Sequence, residues 1–354
     1  MSQVVIVGAG VIGLFCAARL ALSGQRVIVL EGQREDFSPY EPAASLAAAG
    51  MLAPINDGEE SSHADFQHLA LDSFDLWRRL SADAPWQDGV RFEGAALIAA
   101  DASAFIAKTK NLARAAEPLS ASQWRKRTGF EARVEHAVYV ADEGVADPTR
   151  VLSGLLMEVR RYGGEVRYGV DVVSTTATSV TTERDETIEA DHVLLTPGVW
   201  ATEALQTFAP ALKHVRPAKG QLVPVTLAQP LGLTVRAHDF YLTPRLSDVV
   251  LGASFELDRF DRGADPARAA ELVAAADRVL PGEVEASGRG WAGIRPMSPD
   301  GAPSIGRSGD VLVACGHSRN GWLLAPVTAE IVCALILGED LPAHWQAFGP
   351  ERFA

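Results

Sequence analysis

The pattern of apolar and polar positions predicts one strand–helix–strand unit at the start of the chain. Residues 3–7 (QVVIV) are β-branched and almost entirely apolar, which is typical of a strand buried on both faces. A glycine-rich turn, residues 8–13 (GAGVIG), follows at once and opens a helix that is predicted to end near Ser23. Residues 26–30 then form a second buried strand, which ends at Glu31.

The rest of the chain alternates between helical and strand patterns. Residues 66–77 place apolar side chains on one stripe at helical spacing, which predicts a helix packed on a core. Asp147 and Pro148 start another helix, with a capping side chain and a proline in its first turn. Residues 311–315 predict a buried strand, and a glycine-rich turn at residues 316–321 leads into a long terminal helix.

The first glycine-rich turn has the form GxGxxG in the context that dinucleotide binding requires. A strand precedes it, a helix follows it, and Glu31 ends the next strand close to the expected ~20 positions further on. Gly8, Gly10 and Gly13 permit a tight turn and the close approach of a pyrophosphate to the helix N-terminus. Glu31 is placed to accept hydrogen bonds from a ribose. The spacing leaves open whether the dinucleotide is NAD or FAD.

These elements predict an α/β protein with two domains whose segments alternate along the chain. Residues 1–84, 142–214 and 292–354 are expected to form a Rossmann-like dinucleotide-binding domain. Residues 85–141 and 215–291 are expected to form a second, α+β substrate domain built on an antiparallel sheet. The length of 354 residues is consistent with two domains.

Charge and cysteine content argue against several classes of protein. The chain has 32 basic and 45 acidic residues, a formal net charge of −13, which disfavours nucleic acids and anionic membranes as partners. Its three cysteines form no CxxC pair, which favours a reducing compartment and therefore the cytoplasm. No stretch reaches the ~20 apolar residues of a membrane span, and no basic leader marks a signal peptide. The eight histidines show no metal-ligand spacing such as HExxH, so no metal site is predicted.

Further segments carry a resemblance to a known family. They are residues 47–54 (AAAGMLAP), residues 196–200 (TPGVW), residues 293–306 with GIRP and PDGAPSIG, and residues 316–326 with GHSRNG and LLAP. With the GxGxxG turn and Glu31, they resemble the D-amino-acid-oxidase-type family of FAD-dependent oxidoreductases over nearly the whole chain. Within that family they look most like the glycine oxidase branch, which acts in bacterial thiamine (thiazole) synthesis. The resemblance implies that the cofactor is FAD.

The resemblance also implies where the chain contacts FAD. Together with the motif glycines Gly8, Gly10 and Gly13, the implied contacts are Val11, Ile12, Glu31, Gly32, Ala44, Ser45, Ala49, Gly50, Met51, Val172, His317, Ser318, Arg319, Asn320, Gly321, Trp322 and Leu323. Two departures from the family bear on Ala44 and Ser45. The stretch between Glu31 and the alanine run is longer than in glycine oxidases, and Leu46 stands where the family has a small polar residue.

The terminal helix has a physical reason to face the flavin. It begins where the turn at residues 316–321 ends, so its N-terminal amides can point at the pyrimidine edge of the ring. That edge becomes anionic on reduction, and the positive end of a helix stabilises such a charge by about 0.3–2 kcal/mol. This placement favours the acceptance of a hydride.

The substrate contacts are implied in the same way. Arg295 matches the arginine that binds the substrate carboxylate, and a guanidinium fork suits bidentate recognition of that group. Tyr241, in the segment DFYLTPR, matches the tyrosine that hydrogen-bonds the same carboxylate. Arg319 is the second arginine near the substrate, and a direct contact and a flavin or structural role are both open. Less specific candidates are the pocket walls Ala53 and Phe255 and the structural partner Arg245.

The mode of flavin attachment depends on one segment. Some relatives attach FAD covalently through a cysteine close to the substrate arginine. Residues 295–298 read RPMS here, without cysteine, and Cys315 is expected to be buried on its strand. We therefore expect non-covalent FAD.

The resemblance implies oxidative deamination of a small amino acid, above all glycine, with sarcosine or small D-amino acids as further substrates. Arg295 and Tyr241 would hold the carboxylate so that the Cα–H bond meets flavin N5 for hydride transfer. The imine would hydrolyse to glyoxylate and ammonia, and dioxygen would re-oxidise the flavin to give hydrogen peroxide. This route needs no side chain as general acid or base, so no catalytic residue of that kind is predicted. Glycine oxidases assemble as homotetramers, and the resemblance implies the same assembly.

Three other interpretations remain open at this point. The first is an FAD-dependent dehydrogenase of the same family that acts on D-amino acids, sarcosine or a cyclic imino acid. The second is an NAD-dependent dehydrogenase, which the GxGxxG turn alone would suggest. The third is a non-catalytic flavoprotein, against which the presence of both Arg295 and Tyr241 argues.

Overall fold

The computed structural model describes residues 1–33, 43–55, 61–98, 102–111, 114, 116–131 and 136–353. Its strands are β1 (Gln3–Val7), β2 (Arg26–Glu31), β3 (Met51–Leu52), β4 (Val90–Arg91), β5 (Ala95–Ile98), β6 (Ala116–Pro118), β7 (Ala137–Val140), β8 (Gly144–Ala146), β9 (Glu165–Tyr168), β10 (Val172–Thr175), β11 (Ser179–Thr182), β12 (Thr187–Glu189), β13 (His192–Leu195), β14 (Arg216–Leu227), β15 (Thr234–Arg236), β16 (Tyr241–Pro244), β17 (Val249–Gly252), β18 (Glu256–Leu257), β19 (Val284–Ala286), β20 (Trp291–Met297), β21 (Ser304–Ser308) and β22 (Val311–Cys315). Its helices are α1 (Val11–Leu22), α2 (Ala44–Ala47), α3 (Phe66–Ser81), α4 (Ala102–Asn111), α5 (Ala121–Thr128), α6 (Pro148–Arg161), α7 (Glu203–Phe208), α8 (Pro266–Val279), α9 (Gly321–Leu337) and α10 (Ala343–Gln346). Short 3-10 helices span Gln87–Gly89, Pro210–His214 and Pro350–Phe353. Most of the stretch between Glu31 and the alanine run, residues 34–42, lies outside the described residues.

A six-stranded sheet in the order β21–β22–β13–β1–β2–β9 forms the first layer of the fold. β1 lies at its centre and pairs in parallel with β2 and β13, so that Val4 lies opposite Val27 and His192. The apolar residues of these strands are almost fully buried, as expected for parallel strands that helices cover on both faces. Apolar side chains of α1, α3, α6 and α9 form one buried cluster with this sheet.

The local signals of the sequence explain where the helices start and end. The apolar stripe of α3 packs against α9, as the spacing predicts. The Asp147 carboxylate caps α6 by accepting a hydrogen bond from the Arg150 amide at 3.0 Å, and Pro148 occupies the first turn. α9 ends at Gly338, whose φ of 73° lies in the left-handed region.

A second sheet carries the wall that faces the first layer. Its order is β18–β14–β17–β16–β15–β5–β7–β6, with β19 and β20 also paired to β14. The pairs are antiparallel except that of β5 with β15. The ladder of β14 and β20 places Gly220 opposite Gly293 and Ala218 opposite Arg295. In this way β14, the longest described strand, joins the predicted substrate arginine on β20 to the rest of the second sheet.

The two sheets confirm the predicted α/β class with a mainly antiparallel second sheet. Strands of the first sheet lie within residues 3–31, 165–195 and 304–315, and strands of the second lie within residues 95–140 and 216–297. β20 crosses the boundary predicted at residue 292 because it begins at Trp291 and pairs with β14 throughout. The division into two domains itself remains a prediction.

Membrane-spanning helices and clusters of metal-binding side chains are both absent from the described residues. Among them, no helix is long and apolar enough to cross a membrane. No group of three or more histidine, cysteine, aspartate or glutamate side chains in this part of the chain could hold a metal ion.

Candidate active site

A cavity of about 750 Å³ lies between the two sheets. The carboxyl ends of β1, β13 and β22 border it on one side, and β14, β16 and β20 border it on the other. From β1 the chain continues to β2 on one side of the sheet and only later adds β13 on the other side. Open α/β sheets bind their ligands at such a switch point. Small residues of the alanine run form part of its wall and leave room for a flat, bulky group.

The cavity brings together most of the residues that the sequence singles out. It is lined by Gly8, Gly10, Val11, Ile12, Glu31, Gly32, Ala44, Ser45, Ala49, Gly50, Met51, Ala53, Val172, Tyr241, Arg295, His317, Ser318, Arg319, Asn320, Gly321 and Trp322. Four of the candidates do not line it, namely Gly13, Leu323, Phe255 and Arg245.

Each of those four residues has a different place in the structure. Gly13 permits close packing, because a Cβ there would lie 1.9 Å from the Gly8 carbonyl oxygen. The Leu323 side chain is buried in the core, and Phe255 is 52% exposed. The Arg245 guanidinium binds both carboxylate oxygens of Asp248, at 2.7 and 2.6 Å, which fits a structural role.

The glycine-rich turn is held open towards the cavity by hydrogen bonds from both sides. The Glu31 carboxylate accepts hydrogen bonds from the amide of Ala9 at 2.7 Å and from the amide of Gln33 at 2.9 Å. The Ser45 hydroxyl accepts a hydrogen bond from the amide of Val11 at 2.9 Å, at the N-terminus of α1. Glu31 therefore lines the cavity as predicted and also fixes the turn.

The turn before α9 is joined to the arginine strand. The Ser318 amide donates a hydrogen bond to the Pro296 carbonyl at 2.9 Å, and the Ser298 amide donates one to the Ser318 hydroxyl at 3.1 Å. A β-bridge also pairs Met297 with His317. Ser318 has a φ of 53°, so the chain turns sharply there, and the following residues, 319–322 at the start of α9, line the cavity.

Two polar side chains of this turn are buried beside the cavity. Burial lowers the pKa of His317 to about 3, so the ring is neutral and shares a hydrogen bond of 3.0 Å with the Thr328 hydroxyl. The Asn320 side chain is 7% exposed, and its amide nitrogen has no hydrogen-bond partner among the described residues. Because a buried donor without an acceptor is costly, this nitrogen fits a site that a ligand with acceptor atoms fills.

The predicted substrate anchor is assembled on the second sheet. The Arg295 guanidinium donates a hydrogen bond to the Ser254 carbonyl at 3.2 Å, and its positive charge acts on the nearby Tyr241 hydroxyl. Burial raises the pKa of Tyr241, while the positive charges of Arg295 and Arg319 oppose that rise. The phenol is therefore protonated at neutral pH and can donate a hydrogen bond.

Two further arginines, which the sequence did not predict as site residues, also line the cavity. Arg236 ends β15 and forms an ion pair with the buried carboxylate of Glu143. Arg262 lies 4.9 Å over the ring of Trp200, which also lines the cavity. No local motif marks either residue, because each reaches the cavity from a strand end or loop distant in sequence from the other walls.

Comparisons with known proteins agree with this geometry. A family model described as FAD dependent oxidoreductase matches residues 3–335. The chain belongs to this family of FAD-dependent oxidoreductases. It is 28% identical to the glycine oxidase of Bacillus licheniformis over 98% of this chain and 96% of that protein. It is 29% identical to the bifunctional protein ThiO/ThiG of a Synechocystis strain, over 99% of this chain and 54% of that protein.

The same likeness extends to the fold. The crystal structure of glycine oxidase from Geobacillus kaustophilus superposes with a TM-score of 0.82 and 25% identity, covering 96% of each chain. The chain is thus an FAD-dependent oxidoreductase of glycine oxidase type, and the predicted family, enzyme class and cofactor are confirmed. The residues present fit FAD. The GxGxxG turn and Glu31 suit its adenosine diphosphate half, and the buried amide of Asn320 with the N-terminus of α9 suits the flavin.

We expect the buried neutral His317 to make the folded state sensitive to acid. Its folded pKa of about 3 lies below the ordinary value of 6.5, so only the unfolded chain gains a proton between those pH values. Stability is therefore lost as pH falls from about 6.5 towards about 3. For the FAD-saturated protein, the stability difference between pH 7.5 and pH 5 should shrink by about 2 kcal/mol in His317→Gln. Urea unfolding at both pH values measures this.

The matched control for this measurement is His238→Gln, because the His238 side chain is 97% exposed. This control should keep the wild-type difference between the two pH values. If His317→Gln keeps it as well, the neutral buried ring is not the origin of the acid sensitivity.

We expect FAD to leave the protein on acid precipitation. Cys315 lines the cavity, but burial raises the pKa of its thiol to about 12, so the nucleophilic thiolate is scarce. The flavin absorbance should appear in the supernatant, with a colourless pellet. A yellow pellet from which only proteolysis releases the flavin would show a covalent bond. Cys315→Ala would then test the attachment site.

Proposed function

We propose that this protein oxidises glycine to its imine, which hydrolyses to glyoxylate and ammonia, with dioxygen as the final electron acceptor and hydrogen peroxide as product. The observation that carries the proposal is the preassembled pair of Arg295 and Tyr241 on the cavity wall that faces the turn before α9. The identity to glycine oxidases supports the same substrate. We also propose that the product serves thiamine (thiazole) synthesis, in keeping with the similarity to ThiO/ThiG.

The pair is suited to a carboxylate because it offers charge and a directed hydroxyl together. The guanidinium of Arg295 can form two parallel hydrogen bonds to a carboxylate, which orients the plane of that group. The Tyr241 hydroxyl, kept protonated by burial, can donate a third hydrogen bond from β16. Among the described residues that line the cavity, the acids are Glu31 and Asp171, which lie by the nucleotide-binding turn and not beside the pair.

Orientation of the substrate accounts for the contribution of the protein to the reaction. FAD, when bound, supplies the two-electron acceptor. Arg295 and Tyr241 would fix the carboxylate end of a two-carbon amino acid, which leaves its Cα–H bond to be directed towards the cofactor. Positioning of this kind can supply ~7–11 kcal/mol of an activation barrier. The walls beside the pair need no general base, because the amine can enter in its neutral form.

The proposal is tested by a peroxide assay across glycine, sarcosine, D-alanine and D-proline. We expect glycine to give the highest kcat/KM, with one hydrogen peroxide formed for each dioxygen consumed. Turnover of D-proline with an artificial acceptor, and without peroxide, would instead establish the alternative of a dehydrogenase that acts on D-amino or imino acids. Anaerobic bleaching of the flavin by glycine confirms that the ring is the first acceptor.

Removal of the guanidinium should damage substrate binding specifically. Arg295→Ala is expected to raise KM for glycine about 10–100-fold, because hydrogen bonds to charged groups contribute about 1.5–3 kcal/mol. Arg295→Lys keeps the charge without the fork and should show a smaller rise. FAD content should remain at the wild-type level in both variants.

A control at an exposed arginine of the same chain completes the test. Arg289 is exposed and does not line the cavity, so Arg289→Ala should leave KM unchanged. An unchanged KM in Arg295→Ala would show that Arg295 does not bind the carboxylate of glycine.

A further inference from the structure

Two glycines of the second sheet lie directly against the carboxylate anchor. A Cβ on Gly220 would lie 2.0 Å from Nη1, 2.3 Å from Cζ and 2.3 Å from Nη2 of Arg295. A Cβ on Gly252 would lie 2.6 Å from the hydroxyl oxygen and 2.7 Å from Cζ of Tyr241. Ordinary Cβ contacts are longer than 3.4 Å. Each side chain of the anchor therefore rests on bare backbone at a position where only hydrogen fits.

A left-handed backbone does not account for glycine at either position. Neither Gly220 nor Gly252 has a φ in the left-handed region, unlike Gly94 or Gly316. Gly220 belongs to β14 and Gly252 ends β17, and within strands glycine is less favourable than residues with a side chain. Glycine is needed there because the side chains of Arg295 and Tyr241 occupy the space that a Cβ would fill.

The two positions are adjacent in the sheet. β14 and β17 are neighbouring antiparallel strands, with Leu222 opposite Gly252, and Gly252 lies opposite Tyr241 on β16. Gly220 lies two residues before Leu222 on the same face of β14, a face that lines the cavity. The guanidinium and the phenol can therefore both lie close against the sheet, on its cavity face.

We propose that Gly220 and Gly252 are positioning residues that set how far Arg295 and Tyr241 stand above the sheet, and thereby the space left for the substrate. This inference rests on the proposed function. Neither glycine donates a group to the substrate. A methyl group at position 220 pushes the guanidinium towards the cavity, because the strand lies on its other side. The space for a substituent on the substrate amine then shrinks.

The most direct test is Gly220→Ala. The clash involves the far end of a flexible side chain, so the sheet can remain intact while the guanidinium moves. We expect acetate, a bare carboxylate probe, to bind the FAD-loaded protein about tenfold more weakly, measured by perturbation of the flavin absorption spectrum. KM for glycine should rise similarly, and kcat/KM for sarcosine should fall further because of its N-methyl group. Gly252→Ala should weaken acetate binding in the same assay.

Two controls separate positioning from a general loss of structure. Gly232→Ala lies in an exposed position with no atom within 4 Å of the added Cβ, so it should leave acetate affinity unchanged. In an Arg295→Ala background, Gly220→Ala should have no further effect on acetate binding, because the group it displaces is gone. If Gly220→Ala alone fails to fold, the double variant should recover FAD binding.

An unchanged acetate affinity in Gly220→Ala would overturn the inference. So would a further loss of acetate affinity, as large as in the single variant, when Gly220→Ala is added to Arg295→Ala. Failure of the double variant to recover from a folding defect would overturn it as well. Acetate binding without oxidation of glycine would contradict the proposed function while leaving the positioning role of the two glycines testable.

Discussion

The backbone junction between β20 and the turn before α9 is the constraint on which the site depends. Arg295 lies on β20, and the next residue, Pro296, already accepts a hydrogen bond from the Ser318 amide. The Ser298 amide bonds the Ser318 hydroxyl from the other side. One short segment thus belongs to the second sheet and is bonded to the turn before α9. The position of Arg295 relative to the turn before α9 is therefore set by hydrogen bonds of the main chain and of the Ser318 hydroxyl.

The two sides of the cavity differ in charge. The nucleotide-binding turn offers main-chain amides and the carboxylate of Glu31. The second sheet offers the positive charge of Arg295, with Arg319 near enough to affect the Tyr241 hydroxyl. Between them, burial keeps the ring of His317 neutral. The second sheet therefore offers positive charge to an anionic group, while the turn before α9 offers amides and the positive end of a helix.

Prediction from sequence succeeded where a function depends on neighbours in the chain. The GxGxxG turn with Glu31, the Asp147 cap and the apolar stripe of α3 are local patterns, and each is present in the structure. Gly13 and Leu323 stand within such motifs but face the core, because a motif does not state which member points to the cavity. Arg236 and the two glycines under the anchor escaped prediction, since their relevance arises from pairing between distant strands.

The sequence by itself determined the class of fold and the dinucleotide-binding turn, because close approach to a dinucleotide permits few residue types at fixed spacing. The family and FAD followed from the resemblance of further segments, which the spacing of the turn does not supply. Tertiary structure alone decided which side chains share one cavity and how Arg295 and Tyr241 lie on the sheet. Those relations follow from strand register, in which residues far apart in the chain become neighbours at a few ångströms. Periodicity within one strand carries no information about the strand that will lie beside it.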